Sequence, residues 1–259
     1  MKYTALSVVY DRLIGVDYDR WLRYVWQLLA RCGLQPKKAL DLACGSGEMA
    51  VRLARLGVDV TGVDASCDML AVAEAKLREA GLPCLLIQQD MRQLELPEEY
   101  DLVICCCDSL NYILSPRALQ KVFKNVNRCL RPGGLFIFDL NTRYKLANVY
   151  GTSSYGVNTP EASYILETDY EPASRICDMH LTMFLPEDGR YRKVEEKHRQ
   201  RAYPTRFILQ ALRRAGLCPL AVHDDYRFRL PRKHTERLVF AAAKLASSSG
   251  GSGGSGPTA

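Results

Sequence analysis

From Lys38 onward the hydrophobic positions switch regularly between two periods. Ala39-Leu-Asp-Leu-Ala43 is an apolar run of strand length, and Glu48–Leu56 repeats its apolar residues at helical spacing until Gly57 closes it. Asp59–Asp64 predicts a second strand, and Cys67–Ala80 a second helix stopped by Gly81. Cys84–Gln89 and Tyr100–Cys107 predict strands three and four. The fourth is nearly continuous in Val, Ile and Cys, as a strand covered on both faces should be. Ser115–Leu130, with Pro116 in its first turn, predicts a helix, and Leu135–Asp139 a fifth strand after the Pro132-Gly-Gly turn. This alternation predicts an α/β fold, a Rossmann-like, doubly wound and mostly parallel sheet.

The pattern then changes. Tyr164–Tyr170, Arg175–Leu185 and Arg190–Tyr203 are β-rich stretches joined by Glu171-Pro-Ala-Ser and Pro186-Glu-Asp-Gly, so they predict antiparallel hairpins rather than crossovers. Thr205–Ala215 predicts a helix ended by Gly216, and Leu217–Tyr226 with Glu236–Ala243 a closing β-pair that brings the main sheet to seven strands. At the other end, Tyr3–Arg31 reads as helical, with Tyr18, Trp21, Leu22, Val25, Trp26, Leu28 and Leu29 at helical spacing. The expected organisation is a helical segment over 1–35, a ligand-binding core over 36–141, a small antiparallel insertion over 142–204, completion of the core sheet over 205–246, and a flexible Gly/Ser linker over 247–259.

Composition narrows the class. The 259 residues are 47% hydrophobic and 25% charged, which excludes disordered, collagen-like and coiled-coil chains. No apolar run approaches the roughly 18 residues of a membrane span, and Met1–Leu13 lacks a signal-peptide core, so a soluble cytoplasmic protein is expected. The ten cysteines form no CxxC pair and no His/Cys cluster at zinc spacing; reduced structural thiols and no metal are expected. The net charge of +6 is uneven, with Arg190–Arg237 alone carrying +9. That stretch is either an attractor for an acidic partner or a solvated basic face beside structural ion pairs.

Gly45-Ser-Gly47-Glu-Met-Ala50 satisfies G-x-G-x-x-[GA] between a strand and a helix, where glycines let backbone approach a ligand. Asp64, 19 residues beyond Gly45, can accept hydrogen bonds from both hydroxyls of a ribose. Both features also suit a nicotinamide dinucleotide. Three others discriminate. Asp41 precedes the glycines, where a carboxylate would repel a pyrophosphate but tolerate a zwitterionic amino-acid tail bearing a sulfonium. Asp90-Met91 follows strand three, placing a carboxylate and a thioether where an adenine amino group and ring face would sit. Leu130-Arg-Pro-Gly-Gly precedes strand five.

Jointly these residues resemble the class I S-adenosylmethionine-dependent methyltransferases over about residues 36–141. Asp41-Leu-Ala-Cys-Gly-Ser-Gly47 is similar to their first motif, Val63-Asp64-Ala-Ser to the second acid, Gln89-Asp90-Met91 to the adenine motif, and Leu130-Arg-Pro-Gly-Gly to the turn before strand five. The resemblance implies the class I methyltransferase fold, S-adenosyl-L-methionine as cofactor and S-adenosyl-L-homocysteine as product. By position, Gly45 and Gly47 would let the loop pass the methionine portion, and Asp41 with the Ala43 backbone would seat its amino group. Asp64 would bind ribose with Ala65 and Met69 nearby, Asp90 and Met91 would hold adenine, and the Cys106 backbone would line the methionine side.

A narrower likeness is to glycine N-methyltransferases and bacterial small-molecule methyltransferases. It rests on Ala43-Cys-Gly-Ser-Gly, Val63-Asp-Ala-Ser-Cys-Asp-Met, Gly133-Gly-Leu-Phe-Ile-Phe-Asp and the N-terminal Tyr10-Asp11 and Asp17-Tyr-Asp-Arg-Trp21. It implies that Tyr10 and Trp21 form an aromatic lid. Where glycine N-methyltransferases carry an arginine two residues past the strand-five acid, this chain has Asn141, which argues against glycine as acceptor.

The reaction expected is in-line displacement onto a nitrogen or oxygen of a small-molecule acceptor, with no metal and no membrane. Candidates for substrate contact are Asp108, Asn111 and Tyr112 after strand four, Arg143 and Tyr144 after strand five, and His198, Arg201 and Tyr203 on the last inserted strand. Tyr112 and His198 are the catalytic candidates. Histidine is the side chain among them that changes charge near neutrality; an exposed strand histidine among charges is the other reading of His198. Two alternatives stay open. One is a tRNA, nucleic-acid or protein methyltransferase using the basic stretch 190–237. The other is a non-enzymatic cofactor-binding protein or a nicotinamide-dependent oxidoreductase.

Overall fold

The computed structural model describes residues 16–96, 100–159 and 162–245. Helix α1 (Tyr18–Arg31) starts at Asp17, whose carboxylate accepts the Arg20 N–H at 2.8 Å, and leads into the main sheet. Strands β1 (Lys38–Leu42), β2 (Asp59–Asp64), β3 (Leu85–Gln88), β4 (Tyr100–Cys105) and β5 (Leu130–Asn141) run parallel. They are joined by α2 (Glu48–Arg55), α3 (Cys67–Glu79) and, between β4 and β5, α4 (Pro116–Cys129).

Four further strands, β6 (Ser153–Asn158), β7 (Ser163–Glu171), β8 (Ile176–Glu187) and β9 (Arg190–Arg201), form a separate antiparallel sheet in that order. The chain then returns through α5 (Thr205–Arg214) to β10 (Leu217–Asp224) and β11 (Arg237–Lys244). The seven-stranded sheet has the order β10-β11-β5-β4-β1-β2-β3, and β11 is antiparallel to both its neighbours. It is the fold expected from the sequence.

Helices cover both faces of this sheet. On one face Phe123 of α4 meets Phe136, Phe138 and Phe240, with Phe138 and Phe240 stacked at 5.0 Å and 7°. On the other, Trp21, Tyr24 and Leu28 of α1 pack with Met49, Ile104 and Tyr226. Each fully buried large apolar side chain contributes about 1.5–3 kcal/mol, which accounts for β4 and β5 being hidden along almost their whole length.

The second sheet is tied to the carboxyl ends of β4 and β5 by amides. Asn111 donates to the carbonyls of Asn141 (3.1 Å) and Arg201 (2.9 Å) and accepts the Asn141 N–H (2.9 Å). Asn141 Nδ2 donates to Gln200 Oε1 at 2.9 Å.

Several expectations shift. Strand β4 stops at Cys105 rather than Cys107, because Cys107 and Asp108 take φ of 57° and 48° and turn the chain. Strand β5 begins at Leu130, opposite Tyr100, and carries the Pro132-Gly-Gly bend inside it. Strand β6 has no apolar alternation and is held by its ladder to β7; its polar, exposed sequence gave no signal. A π-helical turn over Lys145–Tyr150 was likewise unmarked. The helical reading before Val16, and the Ser/Gly tail, lie outside the described residues. No described helix is long and apolar enough to cross a membrane.

Candidate active site

The loop after β1 is shaped by left-handed residues. Ala43, Gly45 and Gly47 have φ of 58°, 53° and 79°, folding the segment into a tight cradle at the start of α2. A Cβ on Gly47 would lie 2.8 Å from Ala73 Cβ, so only glycine lets α2 and α3 close together there. A Cβ on Gly45 would meet nothing within 4 Å, so the constraint at that position is its φ. The Gly45 N–H donates to Asp64 Oδ2 at 2.9 Å, and Ser66 N–H to Asp64 Oδ1 at 2.8 Å. The end of β2 and the loop after β1 are therefore one hydrogen-bonded unit.

This unit walls a cavity of about 320 Å³ at the carboxyl ends of β1, β2 and β4. Asp41 on its floor is 2% exposed, and its Oδ2 has no hydrogen-bond partner among the described residues. Burial, reinforced by the charge of Asp64, pushes the Asp41 carboxyl up to about 7. Burial also raises Asp64, against the pull of its three backbone N–H donors. Two desolvated carboxylates facing one cavity, with no cation within 4 Å of either among the described residues, favour a positively charged ligand.

Of the residues singled out in the sequence, Asp41, Ala43, Gly45, Asp64, Ala65, Met69, Asp90, Met91, Cys106 and Tyr112 all border this cavity. Gly47 shapes it from behind. The Asp90 carboxylate grips Arg92, accepting its Nε–H at 2.9 Å and its backbone N–H at 2.8 Å, which holds its pKa below the usual range.

Trp21 is placed differently. It is 3% exposed, stacks on Tyr226 at 4.3 Å and 13°, lies under the Arg237 guanidinium, and does not border the cavity. Tyr18, one helical turn earlier, does border it, with its hydroxyl 3.8 Å from Cys107 Sγ. The sequence placed Tyr18 on the buried face of the helix without separating the two rings. Tyr10 lies outside the described residues.

The catalytic candidates meet edge to face. Tyr112 and His198 have ring centroids 5.9 Å apart, and His198 Nε2 is 3.1 Å from Glu196 Oε2. His198 is buried, not exposed, because β9 turns Glu196, His198 and Gln200 inward and its cations outward. It stands behind Tyr112 rather than at the cavity wall. Other candidates serve as fasteners: Asn111 as above, Arg201 by donating to the Leu114 carbonyl at 2.9 Å, and Tyr203 by donating to the Ile113 carbonyl.

Sequence reasoning missed a buried charge cluster beside Tyr112. Arg237 donates from Nη1 to Asp139 and from Nη2 to Asp108 Oδ1 at 2.8 Å. Tyr226 donates to Asp139 Oδ1 at 2.8 Å, and Gln200 to Asp108 Oδ2 at 2.5 Å. Burial raises Asp139, whereas the charge of Arg237, with Lys145 and the Gln200 bond, holds Asp108 low despite its burial. The partners are up to 129 positions apart in sequence, so no local pattern could join them.

Known proteins agree with this geometry. A methyltransferase-domain family matches residues 39–134. The Bacillus subtilis protein named "Putative methyltransferase YqeM" is 34% identical over 247 residues, covering 94% of this chain and 98% of that protein. An S-adenosylmethionine-dependent methyltransferase of Clostridium acetobutylicum superposes with a TM-score of 0.88 at 34% identity, over 94% of this chain and 99% of that one. The chain is a class I S-adenosylmethionine-dependent methyltransferase.

The fold of this methyltransferase is shared at 22% identity by the sugar N-methyltransferase KedS8 from Streptoalloteichus, with a TM-score of 0.73 over 92% of both chains. Its methyl donor is S-adenosylmethionine, and the cavity suits that compound: the orphaned Asp41 oxygen and the paired desolvated carboxylates match a ligand carrying an ammonium and a sulfonium. The narrower likeness to glycine N-methyltransferases is not confirmed by these relatives. Asn141 is bound into the attachment of the second sheet.

Proposed function

We propose that this methyltransferase methylates a nitrogen or oxygen of a small molecule, with the cofactor in the crevice beside β1 and β2 and the antiparallel sheet of 142–204 as a cap over the acceptor. The observation that carries the reading is the continuity of one cavity, from the Asp41 and Asp64 carboxylates to Tyr112 and Ile113 under β9.

S-adenosylmethionine would supply a methyl group activated by its sulfonium charge, so that the acceptor's lone pair would bond to the methyl carbon in line as the C–S bond breaks and S-adenosylhomocysteine leaves. Asp41 Oδ2 takes the amino group of the methionine portion, beside the Ala43 backbone and the glycines 45 and 47. The Asp64 carboxylate, anchored by backbone N–H donors, accepts from the ribose hydroxyls with its remaining capacity. Met69 and Met91 form the apolar wall for the base, beside Ala65. Asp90 meets the adenine amino group with whatever Arg92 leaves uncovered. Cys106 lines the methionine side, and Tyr18 takes the covering role that the sequence had given to Trp21.

Tyr112 touches the acceptor. His198, braced by Glu196, is a positioning residue that fixes the Tyr112 ring. An acceptor presenting a ready lone pair needs no general base, and the residues' task is alignment and exclusion of water.

The small-molecule reading is supported by how the basic stretch is used. Arg192, Lys193, Arg199, Arg229 and Arg237 all pair with carboxylates of this chain. They do not form a stripe for a phosphate backbone. The test is to incubate the chain with methyl-labelled S-adenosylmethionine and, in parallel, a small-metabolite extract, tRNA and bulk protein. Label is expected in the small-metabolite fraction; label in tRNA or protein instead overturns the reading.

A further inference from the structure

On the far side of the Arg237–Asp108 pair from the cofactor crevice lies a second cavity, lined by Lys145 and by residues 224–237 of the β10–β11 connection. We propose that this cavity binds an anionic group of the methyl acceptor, a phosphate or a carboxylate, so that the acceptor is a negatively charged small molecule. The inference rests on the small-molecule reading above and adds a substrate class to it.

Its charges do not cancel. Asp224 is held by Arg229 at 2.7 Å, and Asp225 by Arg20 at 3.1 Å, while Arg237 is consumed by Asp108 and Asp139. That leaves Lys145, Arg232 and Lys233 with no carboxylate within 4 Å among the described residues; Glu236, Asp108 and Asp139 act on Lys145 only from longer range. Lys145 is half-buried, and its ammonium lies 5.4 Å from the centre of the Tyr150 ring. Desolvation, then the charge of Arg237, lowers its pKa against the opposing charges of Asp108, Glu236 and Asp139.

The cations are also presented on fixed backbone. Arg232 N–H donates to Thr235 Oγ1 at 2.8 Å, Thr142 Oγ1 donates to the Thr235 carbonyl at 2.7 Å, and His234 stacks on Tyr144 at 4.8 Å. The turn that carries Arg232 and Lys233 is thus fastened to the end of β5. Preorganised cations lose little entropy on binding an anion.

The position suits a two-part acceptor. Arg237 borders the second cavity, and it is bonded to Asp108, whose neighbours Cys107 and Ser109 border the first. An acceptor with its anion at Lys145 reaches past this pair toward Tyr112 with its nucleophile.

The test uses the full chain saturated with S-adenosylhomocysteine and titrated with inorganic phosphate or acetate, against chloride at equal ionic strength, following the melting temperature. Phosphate, acetate or both are expected to raise it saturably beyond chloride. The Lys145→Met variant, and separately the Arg232→Gln/Lys233→Gln double variant on exposed positions, are expected to weaken that effect about tenfold or more. The shift caused by S-adenosylhomocysteine should stay as in the parent. The proposal is overturned if neither anion exceeds chloride, or if both variants respond as the parent does. A parent chain that shows no shift with S-adenosylhomocysteine counts against the cofactor site instead.

Discussion

The two cavities at the carboxyl ends of the main sheet have opposite chemistry. The first has Asp41 and Asp64 on its floor, desolvated and unpaired with any cation among the described residues, while its Arg92 is taken up by Asp90. The second has Lys145, Arg232 and Lys233, none with a carboxylate within 4 Å among the described residues. Between them runs the buried row Asp139–Arg237–Asp108, in which one guanidinium serves two carboxylates. Such a row costs desolvation, and on the proposal above its use is placement: it keeps a carboxylate field for a cationic donor apart from a cationic field for the acceptor.

Breaking the divider should give the largest effect. Arg237→Met leaves Asp108 and Asp139 buried and facing each other, and is expected to destabilise the fold by about 3–5 kcal/mol in urea unfolding. A loss under about 1 kcal/mol would mean the row carries no structural weight.

A smaller effect, confined to the first cavity, follows from Asp64→Ala. Affinity for S-adenosylhomocysteine by calorimetry is expected to fall about a hundredfold, since two ribose contacts are lost and the Gly45 and Ser66 N–H groups lose their acceptor. The anion response of the second cavity should survive.

The smallest effect changes sign between stability and binding. The folded-state pKa of Asp41, about 7, lies above the ordinary 3.8, so its ionised form costs stability fully above pH 7 and progressively less as pH falls towards 4. Asp41→Asn is expected to stabilise the free protein by about 1–3 kcal/mol at pH 8, with the gain shrinking towards pH 4. The same change should weaken cofactor binding about tenfold at pH 8. In the parent, that affinity should fall as pH drops below 7 and Asp41 protonates. Equal stability of parent and variant at pH 8 would place Asp41 outside the argument.

How much of this was legible in the sequence follows the range of the contacts. The strand–glycine–helix unit, Asp41, Asp64 and the Asp90-Met91 pair lie on local motifs, and the order of strands and helices through β5 could be read from their periods. Trp21 was misplaced because helical spacing gives a buried face but not which turn abuts the crevice; Tyr18 does. His198 looked exposed among charges, yet the two-residue period of β9 turns it inward. Strand β6 was missed because a polar edge strand held by its ladder leaves no hydrophobic alternation. The Asp139–Arg237–Asp108 row and the second cavity join β4, β5 and β11, and only the folded topology brings those together.

The most direct measurement of the central claim is a crystal structure of the protein grown with S-adenosylhomocysteine. The account predicts the ligand's amino group within hydrogen-bond distance of Asp41 Oδ2 and both ribose hydroxyls on Asp64. A ligand bound with its amino group away from Asp41 and its ribose away from Asp64 would contradict it.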